Sequence, residues 1–550
     1  MNHPPKHLLQ KAFDLRHEDS ARLALSLKNV SPEVRTWLVQ QVKGRQRASK
    51  KLPTWSENPD IIFPPAVNLE QSSSEETALY KAERVDVHDH DYDHPHQASH
   101  PPQRPLKPHQ LAFPSPPPNN NLTLVDLTGG FGVDTCYFAT RARHVIHVEP
   151  NAELQSIAAH NSRVLGLSNI TFLTMTAEQF LHQPEQAGTP PYDWIYIDPS
   201  RRPKASRQPN AHSRSNAYSH SNTSSQPNRA ITFLESEPNV LELLDRMRHV
   251  SRRILIKASP MISIPEALNQ LRKGNRAGGG AEVKEVEAPE NKASEIETRE
   301  IETPKVTVRD VHVVSVRNEC REVLFRVDGI SVAPDGMART SGVLNTQESQ
   351  NIDGIRRIAV NIHGFRNDRD DGIHSLTTIF AYDQYEEEDA SVQIADPEAV
   401  WAAGKSSSNL PSAYRWIYEP NASIMKCGAF RLVGERFGLH KIAPNTHLYL
   451  SVERVDGFPG QTLEIQQVLP YRKDAVRTHL SPLKGQIATR NFPDTEPQIR
   501  KKTGIKQGDA HRILACCLSD GHPALIVGKF HPADPEPVDP EPVDPDQVAG

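Results

Sequence analysis

The spacing of apolar residues changes in blocks along the chain. Over residues 8–50 it is helical: Leu23 and Leu27 lie four apart, and Val34, Leu38 and Val42 repeat that interval. Ser31-Pro32-Glu33 sits between the two groups as a cap and first turn. "KLPTW" and "IIFPPAVNLEQSSSEETALYKA" lead onward into another helix. After Asn121 the pattern becomes short, nearly continuous apolar runs alternating with helical segments. "LTLVDL", "HVIHV", "ITFLTMT", "YDWIYI" and "RRILIKA" are expected strands, and "VDTCYFAT", "AELQSIAAHNSRVLG", "NVLELLDRMRHV" and "ISIPEALNQLR" expected helices. Strands apolar on both faces with helices between them predict an α/β fold whose parallel sheet is covered on both sides. "VTVRDVHVVSVRN" and "REVLFRV" are expected to close that sheet as an antiparallel edge pair.

Polar stretches divide the chain. The expected parts are a helical region at 1–83, a His/Pro-rich linker at 84–120 and the α/β domain at 121–330. Two disordered inserts, near 203–229 and 274–304, interrupt that domain. A polar, partly disordered connector at 331–410 precedes small α+β domains at 411–457 and 458–530, with an acidic tail at 531–550. His88, His90, His94 and His96 fall in the linker, where nothing fixes ligand geometry, so no metal site is assigned.

Composition adds three points. Only 37% of residues are hydrophobic and 46 are proline, which fits folded domains joined by unfolded segments. The five cysteines show neither metal spacing nor a paired framework, which suits a reducing compartment. No apolar run is long enough for a membrane span, and the expectation is a cytoplasmic protein without membrane attachment.

The candidate chemistry lies at strand ends. "VDLTGGFGVDT" places Asp126, Thr128, Gly129, Gly130 and Gly132 after the first expected strand. Glycines there let backbone approach a ligand. Glu149 follows 17 residues after Gly132, at the end of the second strand, where a carboxylate can accept both ribose hydroxyls of an adenosine. A dinucleotide prefers G-x-G-x-x-G; G-G-x-G behind an acid suits a cationic amino-acid ligand better, so S-adenosylmethionine is favoured over NAD. The third strand ends at Thr176-Ala177, where an adenine contact is expected. The fourth runs into Asp198-Pro199-Ser200-Arg201-Arg202. Asp198 and the Pro199 carbonyl can accept from an N–H of a flat base and orient its nitrogen. Arg201 and Arg202 can bind phosphate or stack on a base, or can instead brace the loop.

These blocks, with "ILIKASPM", "GRQRASKKLPTW" and "RWIYEPNASIMKCGAFRLVGERFGLHKIAPNTHLYLS", resemble the bacterial class I S-adenosylmethionine-dependent methyltransferases with a THUMP-like C-terminal domain. The resemblance implies a Rossmann-like methyltransferase domain and ferredoxin-like and THUMP-like domains at 411–457 and 458–530. It further implies S-adenosylmethionine as methyl donor and RNA as substrate. It places the cofactor turn on Asp126, Gly129, Gly130 and Gly132, the ribose acid on Glu149, and the acceptor turn on Asp198, Pro199 and Arg201. Thr176 and the long polar inserts depart from the family pattern.

The net charge of −5 hides a basic C-terminal part, since Pro411 to Phe530 holds 17 Lys/Arg against 10 Asp/Glu. Lys426, Arg490, Arg500, Lys501, Lys502 and Lys506 are the expected phosphate contacts there, with Phe492 as a stacking surface. The expected activity is methylation of a base nitrogen in tRNA or rRNA. A protein or small-molecule acceptor, or RNA binding without catalysis, remain the alternatives.

Overall fold

The computed structural model describes residues 4–19, 22–23, 27, 30–86, 120–183, 192–201, 232–274, 306–332, 338–340, 354–368, 372–404, 413–480 and 482–530. The His-rich cluster, Arg202, both expected inserts and the acidic tail lie outside them. The chain divides into two compact units. One comprises Met1–Val311, Arg321–Ser349 and Phe365–His374; the other comprises His312–Cys320, Gln350–Gly364 and Ser375–Gly550.

The first unit is built on a parallel sheet. Its strands are β1 (Thr123–Asp126), β2 (His144–Val148), β3 (Ile170–Leu173) and β4 (Tyr192–Ile197). After a two-residue pair, β5 (Ser200–Arg201) with β6 (Ser236–Glu237), comes β7 (Ser251–Ala258). The order is β7-β4-β1-β2-β3, all parallel, so the chain reverses direction in the sheet between β1 and β4. Ligands of open α/β sheets bind outside the strand carboxyl ends at such a switch. On the far side of β7, β9 (Glu319–Asp328) runs antiparallel, pairing Arg253 with Asp328 and Ala258 with Val323. Strands β4 and β7 are buried through their centres: Ile195, Ile197, Ile254 and Ile256 are fully covered.

The N-terminal helices bury Leu9, Ala12, Trp37, Leu38, Val42 and Ala48, and polar anchors add to that packing. Helix Pro32–Lys51 starts at Ser31, whose hydroxyl accepts from Val34 N. From its buried face Arg45 donates to the carbonyls of Ser56, Asn58, Pro59 and Ile61, which shapes the proline-rich loop that follows. That loop docks on helix Ala152–Val164 through Asn161, which exchanges hydrogen bonds with Ile62 N and O at 2.9 Å each.

The connector expectation for 331–410, a stretch whose residues are divided between the two units, is corrected. A small hairpin, β10 (Ile330–Val332) with β11 (Ala338–Thr340), opens that stretch. Beyond it the chain forms β12 (Arg356–Asp368) and β13 (Gly372–Asp383), then helices Gln384–Asp389 and Pro397–Ala402. Strand β8 (Val308–Val316) is therefore not an edge. Past its turn Arg317 N bonds Ile362 O, and Ser315 Oγ bonds Val360 O. Polar residues dilute the apolar signal here, yet strand pairing rests on backbone groups that every residue carries.

The C-terminal sheet runs β15-β16-β14-β17-β20-β19-β18. Its strands are β14 (Trp416–Pro420), β15 (His440–Ala443), β16 (Thr446–Ser451), β17 (Gly460–Pro470), β18 (Gln486–Arg490), β19 (Arg512–Cys517) and β20 (Pro523–Phe530). All neighbours are antiparallel except β18 and β19. One face packs Ile417, Leu448, Leu463, Leu514 and Ile526, and the other packs Ile487, Ile513 and Val527 against Val476 of helix Lys473–His479 and Ile499 of helix Glu496–Thr503.

Candidate active site at the strand ends

The glycine turn after β1 is pinned from both sides. Leu127 N donates to Tyr196 O of β4, and Gly129 N donates to Val148 O of β2. Gly129 cannot carry a side chain: a Cβ would fall 2.2 Å from His147 Nε2. Gly132 begins helix Val133–Ala139 with φ +93°, a left-handed value that glycine takes without strain. Above Gly130 an added Cβ would meet nothing within 4 Å, so that edge of the turn is open.

Asp126 is 1% exposed, and accepts from Thr128 N at 3.1 Å and Thr135 Oγ1 at 2.6 Å. Burial pushes its carboxyl up to about 7. It thus fastens the turn to the helix behind it. Glu149 accepts from Gly130 N at 2.9 Å and Asn151 N at 2.8 Å, one bond on each oxygen. Burial raises its proton affinity and those two N–H groups partly restore the charged form. Each oxygen keeps a further lone pair. Thr176 caps helix Ala177–Leu181 in a reciprocal box with Gln179, which occupies its backbone N–H and makes its hydroxyl an acceptor. Ala177, the other expected adenine contact, is buried at the first position of that helix, where a backbone N–H has no partner within the helix.

Asp198 leaves β4 beside this turn, its N–H donating to Thr128 Oγ1 at 2.7 Å. Its side chain is 26% exposed, and Oδ2 is bonded to Lys257 Nζ at 2.5 Å. Lys257 is the penultimate residue of β7, the neighbouring strand. Burial opposes its charge, but Asp198, Glu322 and Asp134 outweigh that and hold it protonated above the ordinary lysine range. Beneath lies a second cation. Lys81, on helix Glu75–Asp86, is fully buried and contacts Glu322 at 2.8 Å, Asp134 at 3.3 Å and Ser73 Oγ at 3.0 Å. Asp134 also accepts from Ser73 Oγ and Tyr196 Oη. Burial alone would raise Asp134, but Lys81, Lys257 and these two hydroxyls hold it below the usual carboxylate range. Lys51 lies in the same electrostatic neighbourhood: burial, then Lys257 and Arg321, depress it to about 8. Sequence reasoning missed Lys81, Lys257 and Glu322. Their one signal was charge inside apolar runs, "ALYKA", "ILIKA" and "REVLF".

Arg201 contributes backbone to the β5–β6 pair. In the C-terminal unit the expected phosphate contacts separate. Arg500 is not a free contact: its guanidinium bonds Glu496 at 2.6 Å and the carbonyls of Gly485 and Ile505, and its side chain is 18% exposed. Phe492 is half-buried edge-on to Tyr471. Lys502 bonds Asp494 yet stays 62% exposed, and Lys501 and Lys506 are exposed. Arg490 pairs with Glu419, and Lys426 is half-buried near it. Asn421 precedes helix Ala422–Cys427 but its side chain makes no cap bond; Asn318 Oδ1 accepts from Ala422 N instead.

Comparison with known proteins places two domains and the fold. Residues 416–459 match a ferredoxin-like domain family and residues 460–529 a THUMP domain-like family. The C-terminal part of the chain therefore carries a ferredoxin-like domain followed by a THUMP-like domain. The structure of a candidate methyltransferase from Porphyromonas gingivalis W83 is similar at TM-score 0.63 and 21% identity, covering 96% of this chain and 98% of that one. That likeness shows a shared fold. An rRNA methylase from Streptococcus thermophilus matches with TM-score 0.21 and 13% identity, covering 38% of this chain and 87% of that one. None of the curated proteins compared with the chain matches it. Among the described residues no helix is long and apolar enough to cross a membrane.

Proposed function

We propose that the chain is an S-adenosylmethionine-dependent methyltransferase acting on a base nitrogen in RNA, with tRNA or rRNA as the substrate class. One observation carries the reading. The open glycine turn, Glu149 and Asp198 stand together at the carboxyl ends of the adjacent strands β2, β1 and β4.

The residues present suit the cofactor. Glu149 retains lone pairs for ribose hydroxyls, the Gly130 edge is uncrowded, and Ala177 offers backbone for a base edge. When bound, S-adenosylmethionine supplies an electrophilic methyl group on a sulfonium. The chain's own residues do the rest. Lys257 occupies Oδ2 of Asp198, which leaves Oδ1 and the Pro199 carbonyl to accept from the acceptor's N–H. Those two acceptors orient the nitrogen lone pair, and the proton the nitrogen loses passes to the carboxylate or to water. The buried Lys81, Glu322 and Asp134 set Lys257, and so the acceptor turn, in a fixed position.

The RNA part of the proposal is supported by the THUMP-like match and by exposed Lys501, Lys502 and Lys506 on that domain. Labelled S-adenosylmethionine incubated with total RNA from cells lacking the protein tests it. Label should enter RNA with wild type and fall steeply with Asp198→Asn. S-adenosylhomocysteine should raise the melting temperature of both. If the melting shift appears but no RNA is labelled, the acceptor is not RNA. If no shift appears, the cofactor assignment fails.

A further inference from the structure

The C-terminal unit holds a cavity of about 460 Å³ that the proposed methyl transfer does not use. Five elements bring side chains to it: Asn318 from the turn after β8, Glu419 from β14, Lys426 from helix Ala422–Cys427, His447 from β16 and Arg490 from β18. In sequence these residues span 172 positions, from Asn318 to Arg490, and only the fold collects them.

Its electrostatics are lopsided. Glu419 is 6% exposed, and its carboxylate is held between Arg490 and Arg512, the latter at 3.9 Å. The single acid is therefore spent on two guanidinium groups. Arg490 is also tied to Thr489 O at 2.7 Å, yet 40% of its side chain stays exposed. An arginine locked along one edge offers the rest of its planar fork without further ordering cost. Lys426 adds a second cation from helix Ala422–Cys427.

His447 supplies a different cue. Phe430 stacks on it at 3.9 Å and 22°, which fixes the ring plane. Burial, then Lys441, push its pKa down to about 4, so it is neutral at pH 7. Its Nδ1 is buried and has no hydrogen-bond partner among the described residues. Leaving such a nitrogen unmet is costly, so an unpartnered one asks for an explanation such as a water or bound group.

We propose that this cavity binds one nucleotide of a single-stranded segment of the RNA substrate. Arg490 and Lys426 take the phosphate, and neutral His447 takes a polar edge of the base. The volume lies within the range that encloses a ligand of nucleotide size. The inference rests on the RNA reading above and adds a gripping point outside the methyl-transfer site.

The test uses the full chain and three probes: a short labelled single-stranded RNA, adenosine 5′-monophosphate and inorganic phosphate. Affinity is read by fluorescence anisotropy across a salt series. K426Q should weaken RNA binding about tenfold and lower the salt slope by about one, whereas R490K, which keeps the charge but loses the planar fork, should weaken binding about tenfold with little change of slope. H447F should weaken binding without changing that slope. K6Q, an exposed lysine of the first unit outside the cavity lining, should change affinity by less than either. Melting curves confirm that each variant is folded, and R490K retains a charge for Glu419. The mononucleotide should compete with the RNA, and phosphate should compete more weakly. Unchanged RNA affinity in folded K426Q and R490K overturns the proposal. So does mononucleotide binding that RNA does not displace, which would mark a site for a free nucleotide. The S-adenosylhomocysteine melting shift, measured on the same variants, separates this outcome from failure of the methyltransferase reading.

Discussion

Removing Lys257 tests the electrostatic frame of the proposed site most directly. Lys257→Met deletes the cation but keeps much of the side-chain volume. At 2.5 Å and an effective dielectric near 20, the Lys257–Asp198 attraction is about 7 kcal/mol before desolvation is subtracted. Desolvation of two charges offsets most of it, and side-chain exposures of 14% and 26% add solvent screening. A net coupling of about 2 kcal/mol remains. K257M should cost more than that, about 3 kcal/mol, because Glu322 and Asp134 are then left with Lys81 alone. D198N removes the opposite charge, and the double variant should cost about 2 kcal/mol less than the sum of the singles. Urea unfolding in a W401F/W416F background reads the first unit, because Trp37, Trp55 and Trp194 all lie in it. Additive effects within about 0.5 kcal/mol would refute the coupling. Retention of methyl transfer by folded K257M would refute its part in holding the acceptor turn.

Gly129→Ala should abolish S-adenosylhomocysteine binding in titration calorimetry and destabilise the first unit, since its Cβ meets the buried His147 ring at 2.2 Å and cannot be accommodated without moving β2; binding at wild-type affinity would show that the turn can yield. Asp126→Asn tests the buried carboxyl that burial raises to about 7. A raised folded-state value means its stabilising share is present below about pH 4 and is lost as pH climbs through 7, so D126N should gain on wild type across that window, by up to about 4 kcal/mol. A pH-independent difference in urea midpoints would contradict it. Arg500→Met should lower the unfolding midpoint of the C-terminal unit, by about 1–3 kcal/mol, through the loss of its bonds to Gly485, Glu496 and Ile505. It should leave RNA anisotropy of the folded protein unchanged, and a large affinity loss would return Arg500 to the contact surface.

Local chemistry made much of the first unit readable along the chain. Strands apolar on both faces had to lie in a covered sheet, and the glycine turn at Gly129, Gly130 and Gly132 had to close beside a strand end. Asp126, Glu149 and Asp198 were visible for the same reason: each acid directly follows or ends an apolar run, and run ends are where a parallel sheet meets solvent. Thr176 was expected at the end of the third strand, but that strand stops at Leu173 and Thr176 caps the next helix, a role hidden because the capping box depends on the Gln179 side chain turning back.

The tertiary structure decided what depends on distance along the chain. Lys81 and Glu322 are separated by 241 residues, and nothing local distinguishes Lys81 from a lysine facing solvent on an amphipathic helix. Only the fold buries it, and burial without Glu322 and Asp134 would be prohibitive. The same holds for Arg500, which composition counts as a free cation and packing assigns to Glu496. It holds for β12 and β13, whose pairing uses backbone groups that side-chain patterning does not report. The cavity of Asn318, Lys426, His447 and Arg490 is likewise a product of assembly. Periodicity and turn chemistry are written over a few residues, so the sheet and its strand-end acids could be read along the chain alone. Pairing of charges is a property of three-dimensional neighbours, so which cations are spent and which remain was settled only when the chain folded.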